Sequence, residues 1–183
     1  MNLSYKLELS ILLCIFFLQS CDLDNSETFS SGNGSNRLVF KDCTYELGIT
    51  FTHAASADGC YFMPESIGSG AALLDYENDN DLDIYFINVA PHHPLRTEKQ
   101  PSRNRLFRQE ENGAFRDVTN ESGLGDTGFG MGVAVGDIDN DGFVDVYITN
   151  YGRDALYRNN GDGTFTNITE SAGVTNYEWG CSA

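Results

Sequence analysis

Apolar and polar residues alternate along most of the chain in short runs, which are separated by turn-forming Gly, Asn and Asp. A period of two is typical of β-strands with one buried face. No segment after the N-terminal region has a helical period long enough to compete, so we predict an all-β fold. The predicted strands form two sets of four: Ala71–Leu74, Asp83–Asn88, Arg105–Gln109 and Ala114–Val118, then Val133–Gly136, Asp145–Asn150, Ala155–Asn159 and Thr164–Ile168.

The two sets of strands belong to a sequence repeat. Ile67–Asp75 returns as Phe129–Asp137, and Trp179–Ala183 begins the same pattern again. Phe40–Thr44 resembles the last strand of each set, so we expect a strand there as well. Four-stranded units of about 50 residues are typical of β-propeller blades. The predicted blades span residues 67–119 and 129–169, with a partial blade at 179–183.

A closed propeller needs at least about four blades, more than two sets of strands provide. We therefore expect the chain to be the N-terminal part of a longer protein whose remaining blades are missing here. An alternative is a short protein that completes its sheets by oligomerising.

The N-terminal region has the features of an export signal. An apolar run, Leu9–Leu18, is too short to span a bilayer and precedes Ser20 and Cys21. This junction resembles the bacterial lipobox, in which the cysteine is lipidated. We expect residues 1–20 to be a lipoprotein-type signal peptide, Cys21 the lipidation site, 21–37 a flexible tether and 38–183 the repeat domain. The predicted location is membrane-anchored, periplasmic or cell-surface. The alternatives for the apolar run are an ordinary secretory signal and a buried helix.

The formal net charge is −16, from 11 Lys and Arg against 27 Asp and Glu. This balance argues against binding nucleic acid, which requires clustered positive charge. Nine of the acids lie in two loops, each between the first and second strand of a blade. The distribution indicates cation sites, and the alternative is acidic turns that are merely solvated.

The two acidic loops have the spacing of calcium ligands. Calcium takes six to eight oxygen ligands at about 2.3–2.6 Å, and carboxylates at alternate loop positions can converge on one ion. An EF-hand is disfavoured because position 12 is Phe86 in one loop and Ile148 in the other, both within predicted strands. We expect two Ca²⁺ ions to staple the loops, with these ligands: Asp75, Glu77, Asp79, Asp81 and Asp83 in the first loop, and Asp137, Asp139, Asp141, Phe143 through its backbone carbonyl, and Asp145 in the second.

The sixth position of each loop must make a sharp turn. Gly142 accepts the required backbone conformation freely, and Asn80, which replaces glycine in the first loop, tolerates a left-handed conformation better than most residues. With Glu77 also replacing an aspartate, we expect the first site to bind more weakly.

The linked motifs carry a family resemblance. The strings Tyr61-Phe-Met-Pro-Glu-Ser-Ile-Gly68, Gly130-Met-Gly-Val-Ala-Val-Gly-Asp137 and Leu156-Tyr-Arg-Asn-Asn-Gly-Asp-Gly-Thr-Phe165, with the acidic loops, resemble FG-GAP/VCBS repeats of integrin-type propellers. They resemble more closely the group containing cartilage acidic protein and the ASPIC/UnbV proteins. This resemblance implies a seven-bladed, calcium-stapled propeller in an exported protein, often followed by an ASPIC/UnbV segment.

The face opposite the acidic loops carries two long connections, Thr50–Ile67 and Val89–Arg103. Long loops often carry function, so we expect a protein or glycan to bind there, against the alternatives of a solvated loop and a transition-metal site. The candidate ligand-face residues are His53, Tyr61, His92 and His93. With no catalytic constellation visible, we expect a non-enzymatic interaction or adhesion module. The alternative is the scaffold of an exported carbohydrate-active enzyme, a lyase or dehydratase, with catalytic residues beyond Ala183.

Overall fold

Two four-stranded antiparallel sheets, each with its strands in chain order, make up the repeats. The structure, a computed structural model, describes residues 40–54, 63–89 and 102–183. This architecture confirms the all-β prediction, and each sheet has the form of a propeller blade. The strands are β1 (Ala71–Leu74), β2 (Asp83–Phe86), β3 (Arg105–Gln109) and β4 (Phe115–Asp117), then β5 (Gly130–Gly136), β6 (Asp145–Asn150), β7 (Ala155–Asn159) and β8 (Phe165–Asn167).

Four strands, β1, β3, β6 and β7, have the predicted bounds, and the others differ at their ends. Ile87 N–H still donates to Gly70 O at 3.0 Å in the β1–β2 register, but β2 goes no further because Asn88 N–H donates to the Asn104 side chain at 2.7 Å. β5 begins three residues early, at Gly130, and includes a bulge between Gly130 and Gly132.

The strand predicted at Phe40–Thr44 is wrong. Residues 44–48 form a turn, in which Gly48 N–H donates to Tyr45 O at 3.2 Å and Ile49 N–H to Thr44 O at 3.0 Å. The same turn bonds follow β8, from Gly173 N–H to Glu170 O and from Val174 N–H to Thr169 O, so the repeat preserves the turn. A strand also requires ladder bonds to a neighbouring strand, and no described strand pairs with residues 40–43. Residues 44–183 form one compact unit, and residues 40–43 belong to a separate unit of the chain.

Two short helices also occur where the sequence predicts none. They are α1 (Met63–Ile67) and α2 (Thr119–Ser122). The second follows β4 directly and ends at Gly123, which has a φ of 74°. Glycine suits this left-handed position at a helix end, so α2 turns the chain from the first blade toward the second.

The core lies between the two sheets. Side chains from both blades, among them Leu74, Tyr85, Leu106, Val146 and Ile148, form one buried cluster. Because the cluster draws on both sheets, neither sheet buries its inner face without the other. Full burial of one such side chain stabilises the fold by about 1.5–3 kcal/mol.

The repeated Gly-x-Gly motif lies where the first strands of the blades approach each other. Gly70 N–H donates to Met131 O at 3.0 Å across the blades. A Cβ at Gly70 would lie 3.3 Å from the Cα of Gly132, and one at Gly132 would lie 2.8 Å from Thr149 Oγ1. Glycine therefore allows close packing at the start of β1 and within the first part of β5.

Candidate metal centre

The acidic loops of the two blades have the same internal hydrogen bonds. Asp137, the first residue of the second loop, accepts the N–H of Asp141 on Oδ1 at 3.1 Å and of Gly142 on Oδ2 at 2.9 Å. In the first loop Asp75 accepts the equivalent N–H groups of Asp79 and Asn80 at 3.0 and 2.9 Å. Both loops therefore wrap around the carboxylate that opens them.

Left-handed backbone conformations produce this wrapping. Asn80 and Gly142, at position 6, have φ values of 71° and 91°, which confirms the predicted role of this position. Position 4 is also left-handed, with φ values of 58° at Asn78 and 60° at Asn140. Asparagine is among the few side chains that adopt this conformation readily.

The ninth residue of each loop is a buried aspartate at the start of the second strand. Asp145 accepts the N–H of Ile138 at 2.9 Å on one oxygen and that of Asn159, on the third strand, at 2.8 Å on the other. Asp83 accepts the N–H groups of Tyr76 and Gln109 at 3.2 and 2.9 Å in the same way. Burial raises the pKa of Asp83 to about 7, against the lowering effect of these two bonds. A cation beside it would stabilise the charged form.

Carboxylates converge in the second loop. One oxygen from each of Asp137, Asp139 and Asp145 lies within 4.8 Å of the other two. Two oxygens bound to one Ca²⁺ at about 2.3–2.6 Å lie no more than about 5 Å apart, so this spacing is compatible with a shared ion. Because the donors are hard carboxylate oxygens without thiolate or imidazole, the set fits Ca²⁺ better than a softer metal.

The first loop does not form the same cluster among the described residues, and its residue at position 3, Glu77, has a partner outside the loop. Its Oε1 lies 3.7 Å from the Nε of Arg108. Burial raises the pKa of Glu77, while the charge of Arg108 lowers it. Asp79 Oδ1 accepts the N–H of Asp81 at 2.9 Å, as Asp141 does from Phe143 in the second loop. The two loops thus share their backbone hydrogen bonds and differ in the side-chain contacts of Glu77.

The repeats match a known family. Residues 75–148 and 137–183 match the FG-GAP-like repeat model, and together they cover more than half of the chain. The chain belongs to the FG-GAP-like repeat family. FG-GAP repeats are typical of extracellular proteins and suggest an interaction module. Among curated proteins, no significant match to the chain was found. Within the described ranges, no helix has the length and hydropathy needed to cross a membrane.

Of the candidate ligand-face residues of this FG-GAP-like protein, the structure describes His53. Its ring is half-buried, with Nε2 3.0 Å from Ser69 Oγ, and Ser69 donates its hydroxyl proton to Gly130 O at 2.7 Å. Because that proton is used, the Nε2–H of His53 must donate to Ser69. Ser69 therefore joins the two blades, and His53, from the segment before the first blade, holds the Ser69 hydroxyl in place. The other proposed residues of this face, and the lipidation site, lie outside the described residues: Tyr61, His92, His93 and Cys21.

One residue of the loops was not predicted from sequence. Asn78 donates its side-chain N–H to Gly142 O, in the other blade's loop, at 3.0 Å. A second cross-blade bond runs from Asn159 Nδ2 to Tyr76 O at 2.8 Å. The available signal for Asn78 was the repeat of asparagine at position 4, as Asn78 and Asn140.

Proposed function

We propose that this FG-GAP-like protein binds two Ca²⁺ ions in the loops 75–83 and 137–145, and that the ions staple the first two strands of each blade. The observation that carries the proposal is the convergence of Asp137, Asp139 and Asp145 within 4.8 Å in a loop that the first blade reproduces bond for bond. The bound ions would neutralise carboxylates that otherwise repel one another at short range.

The second site is proposed to be the tighter one. Glu77 of the first loop lies beside Arg108, so a cation there must compete with the guanidinium for its carboxylate. The second loop has aspartate at that position, and Asp139 is exposed and available. We therefore expect two binding events of different affinity.

Calorimetric titration of the full chain with Ca²⁺ tests the proposal. Asp139→Asn removes one carboxylate charge from the tighter site and should abolish that binding event. Asp162→Asn is the matched control, because Asp162 is an exposed aspartate in the turn between β7 and β8, outside both acidic loops. No heat of binding in millimolar Ca²⁺, or equal binding by the two variants, would refute the proposal.

We further propose that the protein is an exported lipoprotein anchored through Cys21. The support is the short apolar segment that ends in Leu18-Gln-Ser-Cys21, together with the extracellular character of FG-GAP repeats. Multiple acyl chains would give stable anchoring. Cys21→Ser should release the protein from membranes and abolish incorporation of a labelled fatty acid. Unchanged membrane association would contradict it.

The blades are proposed to act as a non-enzymatic module that binds a protein or a polysaccharide on the face opposite the calcium loops. The loops at 50–67 and 89–103 support this face, since long connections often carry recognition. Replacing residues 89–103 by a short Gly-Ser linker should abolish binding to an array of purified polysaccharides and cell-surface proteins without changing Ca²⁺ binding. Unchanged array binding would refute this face, and breakdown of an arrayed polysaccharide would favour the enzyme scaffold.

A further inference from the structure

The hydrogen bond from Asn78 to Gly142 connects the acidic loops of two different blades. Asn78 is exposed, at position 4 of the first loop, and its acceptor is the carbonyl at position 6 of the second loop, 3.0 Å away. The residues are 64 positions apart in the chain. A bond of this kind gives one loop direct influence over the backbone of the other.

The acceptor end of the bond lies within the candidate cation site. The Gly142–Phe143 peptide is held at both ends, its carbonyl by Asn78 and its N–H by Asp141 Oδ1 at 2.9 Å. Gly142 N–H in turn donates to Asp137 Oδ2 at 2.9 Å. Asn78 therefore helps to orient a peptide unit that donates to one proposed ligand residue, Asp141, and that adjoins the peptide unit donating to another, Asp137.

The donor end lies within the other candidate site. Asn78 follows Glu77 directly and precedes Asp79, whose N–H donates to Asp75 Oδ1 at 3.0 Å. Its φ of 58° is maintained by the wrapped form of the loop. A cation that orders the first loop would therefore also order the Asn78 amide.

We propose that Asn78 is a positioning residue that couples the two calcium loops, so that an ion in one loop raises the affinity of the other. This inference rests on the proposed calcium binding. Asn78 is not assigned as a ligand; it acts through the Gly142 carbonyl. Two sites that bias a shared element are coupled reciprocally. A change in the calcium affinity of the second loop must therefore change the calcium affinity of the first.

The chain offers a close control. Asn140 occupies position 4 of the second loop, is exposed and has a φ of 60°, but its side chain makes no hydrogen bond to a described residue. Asn78→Ala and Asn140→Ala therefore remove the same side chain from the same backbone conformation, and only the first removes a bond between loops. The bond from Asn159 to Tyr76 remains in both variants, which keeps the blades in contact.

The test is a double-mutant cycle with a readout for each loop. Calcium-dependent hydrogen exchange of peptides covering residues 75–83 and 137–145 gives separate binding midpoints. In the otherwise wild-type chain, Asp139→Asn should weaken calcium binding in the first loop about fivefold or more, the usual lower range of coupling between sites. This weakening should persist when Asp139→Asn is combined with Asn140→Ala. It should become much smaller when Asp139→Asn is combined with Asn78→Ala.

Hydrogen exchange without calcium gives a second, independent test of the bond between the loops. In the presence of a chelator, Asn78→Ala should speed exchange of the amides in 137–145, and Asn140→Ala should not. Equal results for the two alanine variants in either experiment would overturn the coupling. A wild-type chain that binds no calcium would refute the proposed function and the coupling together, whereas two-site binding with no effect of Asn78→Ala would refute the coupling alone.

Discussion

The buried aspartate at position 9 combines a structural and a chemical role in one carboxylate. Asp145 accepts one backbone N–H from its loop and one from β7, and it contributes an oxygen to the cluster with Asp137 and Asp139. A carboxylate has about four acceptor positions, so two hydrogen bonds leave room for a cation. The same residue therefore joins three chain segments whether or not an ion is bound.

This dual role predicts different behaviour for two neutralising substitutions. Asp145→Asn replaces one acceptor oxygen by an amide donor, so a buried N–H loses its partner at a cost of about 1–3 kcal/mol. Asp139 is exposed, and Asp139→Asn should leave the calcium-free stability nearly unchanged. Denaturant unfolding with a chelator measures both, and similar stabilities for the two variants would contradict the structural role of Asp145.

His53 predicts a pH dependence of stability. Burial lowers the pKa of His53, so the folded state binds a proton less readily than the unfolded chain. The stability that neutral His53 supports is therefore present above the unfolded value of about 6.5 and is lost as pH falls below it. His53→Gln should reduce the loss of unfolding free energy between about pH 7.5 and 5. Parallel pH profiles for the wild type and the variant would contradict this.

The backbone conformation of single residues was predictable where it depends on residue type and loop position alone. The left-handed conformations of Asn80 and Gly142 follow from residue type and loop position, and both are confirmed. The bond from Asn78 to Gly142 was not predictable, because it depends on how closely the blades pack. The contact between Glu77 and Arg108 was not predictable either, because Arg108 lies on β3, outside the loop.

At the scale of elements, the turn at 44–48 and the glycine at the end of α2 each pack against the last strand of the blade that follows. Leu47 O accepts the N–H of Phe115 at 2.7 Å, just before Gly48. A Cβ at Gly48 would lie 2.8 Å from Phe115 O, and one at Gly123 would lie 3.4 Å from Phe165 O. Glycine at positions 48 and 123 therefore allows close contact with the repeat that follows.

These contacts predict a graded series of alanine substitutions. Gly48, Gly123 and Gly173 have φ values of 80°, 74° and 70°, so alanine costs about 1–2 kcal/mol of left-handed strain at each. A Cβ at Gly173 has nothing within 4 Å, so only strain applies there. Chemical denaturation should rank Gly48→Ala as most destabilising, then Gly123→Ala, then Gly173→Ala. Equal losses would show that backbone contact adds nothing to strain.

Elements with strong alternation were predictable, and those defined by tertiary contacts were not. β1, β3, β6 and β7 have the bounds that the pattern predicts. The segment at 40–44 shares the sequence of a last strand, yet no described strand pairs with residues 40–43, and a strand depends on such a partner. β2 ends early because the amide of Asn88 bonds to a side chain, a contact between residues 16 positions apart.

At the scale of the whole molecule, the acidic loops and the chain's single tryptophan lie at opposite ends of the second sheet. Asp145 begins β6, and Tyr151, directly after its end, pairs with Trp179 through a β-bridge, with ring centroids 6.0 Å apart. Six residues of strand span about 20 Å. Fluorescence of Trp179 therefore reports the fold far from the proposed calcium sites.

If the sheets unfold as one cooperative unit, calcium at one end must stabilise the other. An ion that binds only the folded state adds about 2.7 kcal/mol at 100 times its dissociation constant. Thermal unfolding followed by Trp179 fluorescence should therefore shift upward in calcium, together with the far-ultraviolet circular dichroism of the strands. Asp139→Asn should reduce both shifts equally, and Asp162→Asn neither. A shift in circular dichroism without one at Trp179 would mean that the calcium loops stabilise only their own end of the sheet.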